Sequence, residues 1–292
     1  MASTHHSEYL KMQSVFLKSA RDSWISQQQL DDQWESLNYL SVPNFETSLL
    51  EYGQLQNFFK QDEIETLYFP ADQSVQIDSI YCRDAAIATD FGMIICNMGK
   101  GGRVNEPQAQ LSAYTSHGIP ILGVIEAPGT LEGGDVAWLN EKTLAVGHTY
   151  RTNLAGIEQL KAFLEPRGIE VIVAEMPHYK GPSDVFHLMS VLSPVDKDLA
   201  VVYSPLMPIN FRNELLNRGF KLVEVPDSEF ESMGCNVLAV APRDCIMVAG
   251  NPITAEGLLD EGCKVRTYEG LHISVPGGGG PTCLTRPMLR SF

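Results

Sequence analysis

The apolar and polar positions of this chain switch between two periods. Four stretches read as an apolar strand, a short polar turn and a second apolar strand: DAAIATDFGMIICNMG (84–99), DVAWLNEKTLAVG (135–147), HLMSVLSPVDKDLAVVYSP (187–205) and NVLAVAPRDCIMVAG (236–250). Their turns carry Asp, Gly, Pro and Asn, as tight hairpins require. After each hairpin the apolar spacing lengthens to that of a helix. The clearest case is NLAGIEQLKAFLEPRG, where Leu154, Ile157, Leu160 and Leu164 recur at three- and four-residue steps. A glycine then ends the helix, at Gly118, Gly168, Gly219 and Gly262, and an apolar strand follows. Glycine just past a helix end is the expected cap.

The unit is therefore β-β-α-β, opening at residues 84, 135, 187, 236 and 283, in steps of 51, 52, 49 and 47. Nine residues follow Cys283, so the segment ending near residue 80 is expected to supply the helix and last strand of the fifth unit. QLQNFFKQDEIETLYFP (54–70) fits that place. Joining the last unit to the first closes a ring, which leaves few exposed sheet edges. The expected fold class is α/β, a five-bladed ββαβ propeller forming a single domain over residues 1–292. Residues 1–50 carry no pattern that assigns them elements.

Composition narrows the chemistry. At 44% hydrophobic and 20% charged residues the chain reads as globular. No stretch has the ~20 apolar residues of a membrane helix, and the start MASTHHSEYLKMQSVF lacks a basic region followed by an apolar block, so no secretory signal is read. A cytoplasmic protein is expected. The net charge of −15 argues against a nucleic-acid binder and suits a cationic substrate. Six cysteines, at 82, 96, 235, 245, 263 and 283, form neither a C-x-x-C pair nor a zinc-spaced cluster. Five read as small apolar residues.

The sixth has an unusual setting. Four glycines, Gly277 to Gly280, lead into Pro281, Thr282 and Cys283. Such a run is costly to order unless the backbone bends sharply or lets something come close. Cys283 is also one of five residues that open the units, with Asp84, Asp135, His187 and Asn236. In a ring the equivalent strand ends meet at one mouth. A thiol nucleophile, a histidine acid/base and carboxylates able to hold a cation would then face one another. Asn236 reads as a structural turn residue.

At these residues the chain resembles the guanidine-modifying propellers of pentein-like fold, which include dimethylarginine dimethylaminohydrolase, arginine deiminase and amidinotransferases. It is most similar to the dimethylarginine hydrolases. The resemblance runs from about residue 68 to 288 and is strongest in IEAPGTLEGGDVAWLNEKTLAVGHTYRTNLAG (125–156), with DSIYCRD (78–84), FHL (186–188) and GGGGPTCLT (277–285) in the right order. It implies that Cys283 is the nucleophile, His187 the acid/base and Glu132 the acidic catalytic residue. Asp84 would clamp the guanidinium, and Asp78 would receive the substrate α-amine. Arg103 and Arg151 would bind the α-carboxylate. No metal and no organic cofactor is implied. The implied partner is a small cationic guanidino amino acid, with neither nucleic acid nor membrane, and a homodimer is left open.

Three positions depart from the family patterns. Arginine deiminases usually carry an acidic residue two places after this histidine and often an arginine five before the cysteine; here these are Met189 and Gly278. The dimethylarginine hydrolases usually have an acidic residue before the equivalent of Asp84 and a basic residue at the equivalent of Met189, where this chain has Arg83 and Met189. Neighbouring strand residues face opposite ways, so Arg83 is expected to point away from the site that Asp84 enters. The expected activity is hydrolysis of the guanidinium of an Nω-substituted L-arginine, mono- or asymmetric dimethylarginine, to citrulline and an alkylamine. Arginine deimination, hydrolysis of another guanidino compound and amidino transfer are the alternatives, with a non-catalytic partner-binding ring behind them.

Overall fold

The computed structural model describes residues 4–291. Its strands, in chain order, are β1 (Lys11–Leu17), β2 (Glu65–Tyr68), β3 (Ala86–Thr89), β4 (Gly92–Ile95), β5 (Ile121–Val124), β6 (Val136–Asn140), β7 (Thr143–His148), β8 (Glu170–Glu175), β9 (Leu192–Asp196), β10 (Leu199–Val202), β11 (Lys221–Glu224), β12 (Leu238–Ala241), β13 (Asp244–Val248), β14 (Lys264–Tyr268) and β15 (Arg286–Ser291). They form five three-stranded sheets. In each sheet an antiparallel pair is followed by a parallel third strand, which a helix must precede because parallel neighbours need a crossover;.

The repeat read from the sequence is borne out in four of these sheets. β3, β6, β9 and β12 are each the first strand of an expected hairpin. They are buried along nearly their whole length, which is why β3, β6 and β12 read as apolar runs. The helix Leu154–Leu164 starts where the Asn153 side chain accepts from the Gly156 N–H at 2.9 Å;. It buries Ile157, Leu160 and Leu164. Gly118, Gly168, Gly219 and Gly262 all have positive φ, from 67° to 87°, as the cap reading requires. The hairpin opening at His187 is shorter than expected: Leu188–Ser190 is a turn of 3-10 helix, and β9 begins only at Leu192.

The fifth sheet needs more of the first segment than expected. β15 pairs antiparallel with β1, and β1 pairs parallel with β2. Residues 11–17 therefore supply the middle strand, in addition to the expected helix (Phe45–Gln61) and last strand. KMQSVFL escaped the repeat because its hairpin partner lies at the other end of the chain and two short helices, Ala20–Trp24 and Gln27–Gln33, separate it from its own helix.

Side chains join neighbouring sheets. β9 packs against both β6 and β12, β12 against β1, and β15 against β3. On β6, the Trp138 indole N–H donates to the Ala88 carbonyl of β3 at 3.2 Å. Among the described residues no helix is long and apolar enough to cross a membrane.

Phe16 tests the placement of β1. It is fully buried, with its ring 4.7 Å from Phe69 and 5.4 Å from Tyr114. Phe16→Ala is expected to cost about 3–5 kcal/mol of stability, read from the denaturant midpoint at unchanged slope. A loss below about 1 kcal/mol would mean that β1 is not a core strand.

Candidate active site

The residues that open the units do converge. A cleft of about 1130 Å³, its open mouth included, contains Cys283, His187, Asp84, Glu132 and Asn236, with Asp78, Lys100, Arg103, Arg151 and Met189 further along its walls. The sequence places the first group there because each sits just before the first strand of a sheet or in the short turn that enters it.

Cys283 is half-buried. The Asn236 amide donates to its Sγ at 3.3 Å, and the Thr282 hydroxyl lies 3.8 Å away. Burial and then the Asp84 charge push the thiol above its ordinary range, while the Asn236 and Thr282 contacts and the Arg83 charge oppose this. Asn236 does more than the turn-forming part expected of it. Its carbonyl oxygen also accepts from the Thr282 N–H and hydroxyl, at 3.0 and 2.9 Å, so one side chain fixes the cysteine turn and touches the sulfur.

The glycine run allows this approach. A Cβ on Gly280 would lie 2.6 Å from the Asn236 amide carbon, and one on Gly277 or Gly279 would strike the Tyr81 ring. Close approach was expected; its main partners are Tyr81 and Asn236, and Gly278 alone in the run has left-handed backbone, φ 71°.

His187 and Glu132 form a buried pair, with Nε2 2.7 Å from Oε2. Burial works against the charged imidazole. Asp135, the Glu132 hydrogen bond and Asp84 outweigh it and push His187 up to about 9. Burial likewise opposes ionised Glu132, but the bond and charge of His187, with Arg103 and Arg151, bring it down to about 2. The other Glu132 oxygen accepts from the Gly99 and Lys100 N–H groups, both at 3.0 Å. Asp135 is fully buried behind this pair and accepts from Thr149 and the Leu188 N–H, at 2.7 and 3.0 Å. Burial pushes it up to about 6. Its part in holding His187 charged was not read from the sequence, where it appeared only as a unit opener.

Asp84 has one bound and one open oxygen. Oδ2 accepts from Arg103 Nη1 at 2.5 Å, while Oδ1 is buried with no hydrogen-bond partner among the described residues. A Cβ on Gly134 would lie 2.7 Å from that oxygen and 2.6 Å from His187 Nδ1, so this glycine keeps the space between them clear. Donor atoms of Asp84, Glu132 and His187 lie within 4.8 Å of one another. A metal would need neutral imidazole; with no ion present, the surrounding carboxylates favour the charged form and push His187 up to about 9.

The distal residues divide differently from expectation. Arg103 is spent on this chain: Nε and Nη2 grip Glu106 at 2.8 Å each, Nη2 also donates to the Tyr81 carbonyl at 2.9 Å, and Nη1 holds Asp84. Arg151 donates to the Asp184 carbonyl at 2.9 Å, while its Nε is buried without a partner among the described residues. Asp78 is buried and accepts from Lys100 Nζ at 2.6 Å, and the same ammonium donates to the Leu37 carbonyl at 2.6 Å. Neither Lys100 nor the lining residues Asn38 and Leu40 were singled out in the sequence. Arg83 points away from Asp84 as expected and pairs with Glu8 at 2.7 Å.

Glu132→Gln removes one of the charges that hold His187 up. The imidazole pKa, followed by NMR titration of labelled histidine, is expected to fall from about 9 by about a unit or more toward its ordinary 6.5. An unmoved value would assign the elevation to Asp135 and Asp84 alone.

Known proteins share this arrangement of sequence and fold. The family described as N,N dimethylarginine dimethylhydrolase, eukaryotic, matches residues 29–290. An N(G),N(G)-dimethylarginine dimethylaminohydrolase of Streptomyces coelicolor is 32% identical over 193 residues, 66% of this chain and 67% of that protein. An arginine deiminase of Listeria welshimeri is 27% identical over 72% of this chain and 61% of its own length. The dimethylarginine hydrolase of Pseudomonas aeruginosa, solved as a cysteine-to-serine mutant with citrulline, superimposes with a TM-score of 0.76 at 20% identity, covering 94% of this chain and 98% of that one. The chain belongs to the N,N-dimethylarginine dimethylhydrolase family and is a hydrolase of C–N bonds in linear amidines.

Proposed function

We propose that this protein hydrolyses the guanidinium of an Nω-substituted L-arginine, mono- or asymmetric dimethylarginine, to citrulline and an alkylamine, with Cys283 as nucleophile. The observation that carries this reading is the open Asp84 oxygen: a buried acceptor without a hydrogen-bond partner among the described residues, in the same cleft as a thiol and a charged histidine. A buried carboxylate oxygen is costly to leave unpaired, and a planar cation with forked N–H donors answers it. The same reading takes the five sheets as blades closed into one ring and one domain, since equivalent strand ends then meet at one mouth.

The chemistry follows from the charges. A guanidinium on Asp84 brings a positive charge beside Sγ, which favours thiolate over thiol. The thiolate attacks the guanidinium carbon, and a sulfur–carbon bond forms. His187, charged at neutral pH, gives its proton to the departing amine as the carbon–nitrogen bond breaks. The neutral His187 then takes a proton from water, whose oxygen adds to the thiouronium carbon. Collapse releases the ureido product, the thiolate and the recharged histidine. Glu132 positions the imidazole throughout, and Asn236 holds the sulfur in line.

At the far end of the cleft Arg151 keeps an open N–H for the α-carboxylate, and Arg103 serves the site by bracing Asp84. Asp78 and the Leu37 carbonyl make an ammonium seat that Lys100 occupies; the α-ammonium of the substrate takes that seat by displacing it. Met189 is buried in the cleft wall and offers no acceptor for a bare N–H. Unmethylated arginine would leave a donor unpaired there, at about 1–3 kcal/mol. That is roughly 5- to 150-fold in kcat/KM.

Two assays test the reading. Wild type is expected to release methylamine or dimethylamine with citrulline from methylated arginines, and to turn over arginine 5-fold or more less efficiently, roughly as estimated above. Cys283→Ser should abolish both reactions while the protein stays folded. Equal efficiency on arginine, with ammonia released, would make the enzyme a deiminase; persisting turnover in the serine variant would remove the nucleophile.

Lys100→Met empties the ammonium seat. KM for α-amino substrates is expected to fall severalfold with kcat little changed. A KM that rises instead would place Lys100 among the groups that bind the substrate.

A further inference from the structure

Behind the cleft, centred on Arg83, lies a second concentration of charge. Arg83, Arg286 and Arg290 are 1%, 5% and 2% exposed. They reach into the convergence of the inner strands: Arg83 toward the Val136 carbonyl, Arg286 to the Ala86 carbonyl at 2.8 Å, and Arg290 to those of Leu10 and Ala239 at 2.5 and 2.9 Å. Glu8 faces them, with one oxygen on Arg83 Nη2 at 2.7 Å. Three guanidinium groups thus share one carboxylate.

The remaining neighbours do not balance this. Tyr114 and Cys82 face Arg286, but burial raises the phenol and pushes the thiol up to about 12, so both are neutral. Burial and mutual repulsion lower the arginines, Arg286 to about 10 and Arg290 to about 9, yet both stay charged at neutral pH. Four nitrogens, Nε and Nη1 of Arg83 and Nε and Nη2 of Arg290, are buried with no hydrogen-bond partner among the described residues. Unpaired buried donors on charged groups are among the costliest arrangements in a protein interior. Water would satisfy the N–H groups and leave the excess positive charge. A small anion answers both.

We propose that a small inorganic anion of the halide class binds in this hub, held by the open N–H groups of Arg83 and Arg290 beside Glu8. The ligand is small because the inner strands around it are packed with buried side chains. The test of the proposal does not depend on the guanidino chemistry, although the Arg83 charge also reaches Cys283.

The experiment uses the full chain prepared in sodium gluconate. At fixed ionic strength, replacing gluconate by chloride or bromide is expected to raise the thermal midpoint by a few degrees, saturably, as ligand linkage requires. Arg290→Met should abolish that halide dependence. Crystals grown with bromide should show an anomalous peak within hydrogen-bond reach of Arg83 and Arg290. Equal midpoints in gluconate and halide, or bromide crystals with only water at the hub, would overturn the proposal. The crystal result stands on the wild type, whether or not the variant folds.

Discussion

The ion pair between Glu8 and Arg83 fixes the orientation on which the active site depends. Arg83 and Asp84 are chain neighbours that face opposite ways. Arg83 is drawn into the hub by Glu8, and its N–H donates to the Cys283 carbonyl at 3.2 Å. Asp84 is thereby turned into the cleft, where Arg103 holds one oxygen and leaves the other open. Breaking a buried pair by removing one partner costs about 3–5 kcal/mol, so this orientation is strongly enforced. It also gives the extreme N-terminal segment a purpose: Glu8 comes from it, and His6 stacks on Trp138 at 3.9 Å.

Within the cleft, almost every charge is answered inside the protein. Glu132 has His187, Asp78 has Lys100, Glu106 has Arg103. Among the described residues, one oxygen of Asp84 and Nε of Arg151 keep no hydrogen-bond partner, with Arg151 Nη1 3.9 Å from Glu132. The internal pairs keep the groups preorganised, so little reorganisation is needed as charge moves during reaction.

Asp135 and Glu132 show how burial divides two carboxylates three residues apart. Glu132 touches the imidazolium directly and is held near 2, while Asp135 lies behind it and is raised to about 6. Direct contact with a cation outweighs burial in the first case. In the second, burial wins because the opposing contacts are with neutral donors and a more distant charge.

By itself the sequence determined the repeat and the residues that open it. Hydrophobic period, turn residues and capping glycines act over a few positions, so β3 through β14 and the recurrence of Asp84, His187 and Cys283 at one phase were legible without coordinates. The resemblance in GTLEGGD and GGGGPTC added Glu132 and the roles it implies. The tertiary structure decided what depends on contacts between distant segments. KMQSVFL becomes a middle strand only because β15 comes back to it, about 275 positions along the chain. Arg103 reads as a free cation until Glu106 and Asp84 are seen to claim its donors. Lys100 carries no signal until Asp78 and Leu37 close on it. Which polar group keeps an open valence is the outcome of a competition among neighbours, and the neighbours are set by the fold.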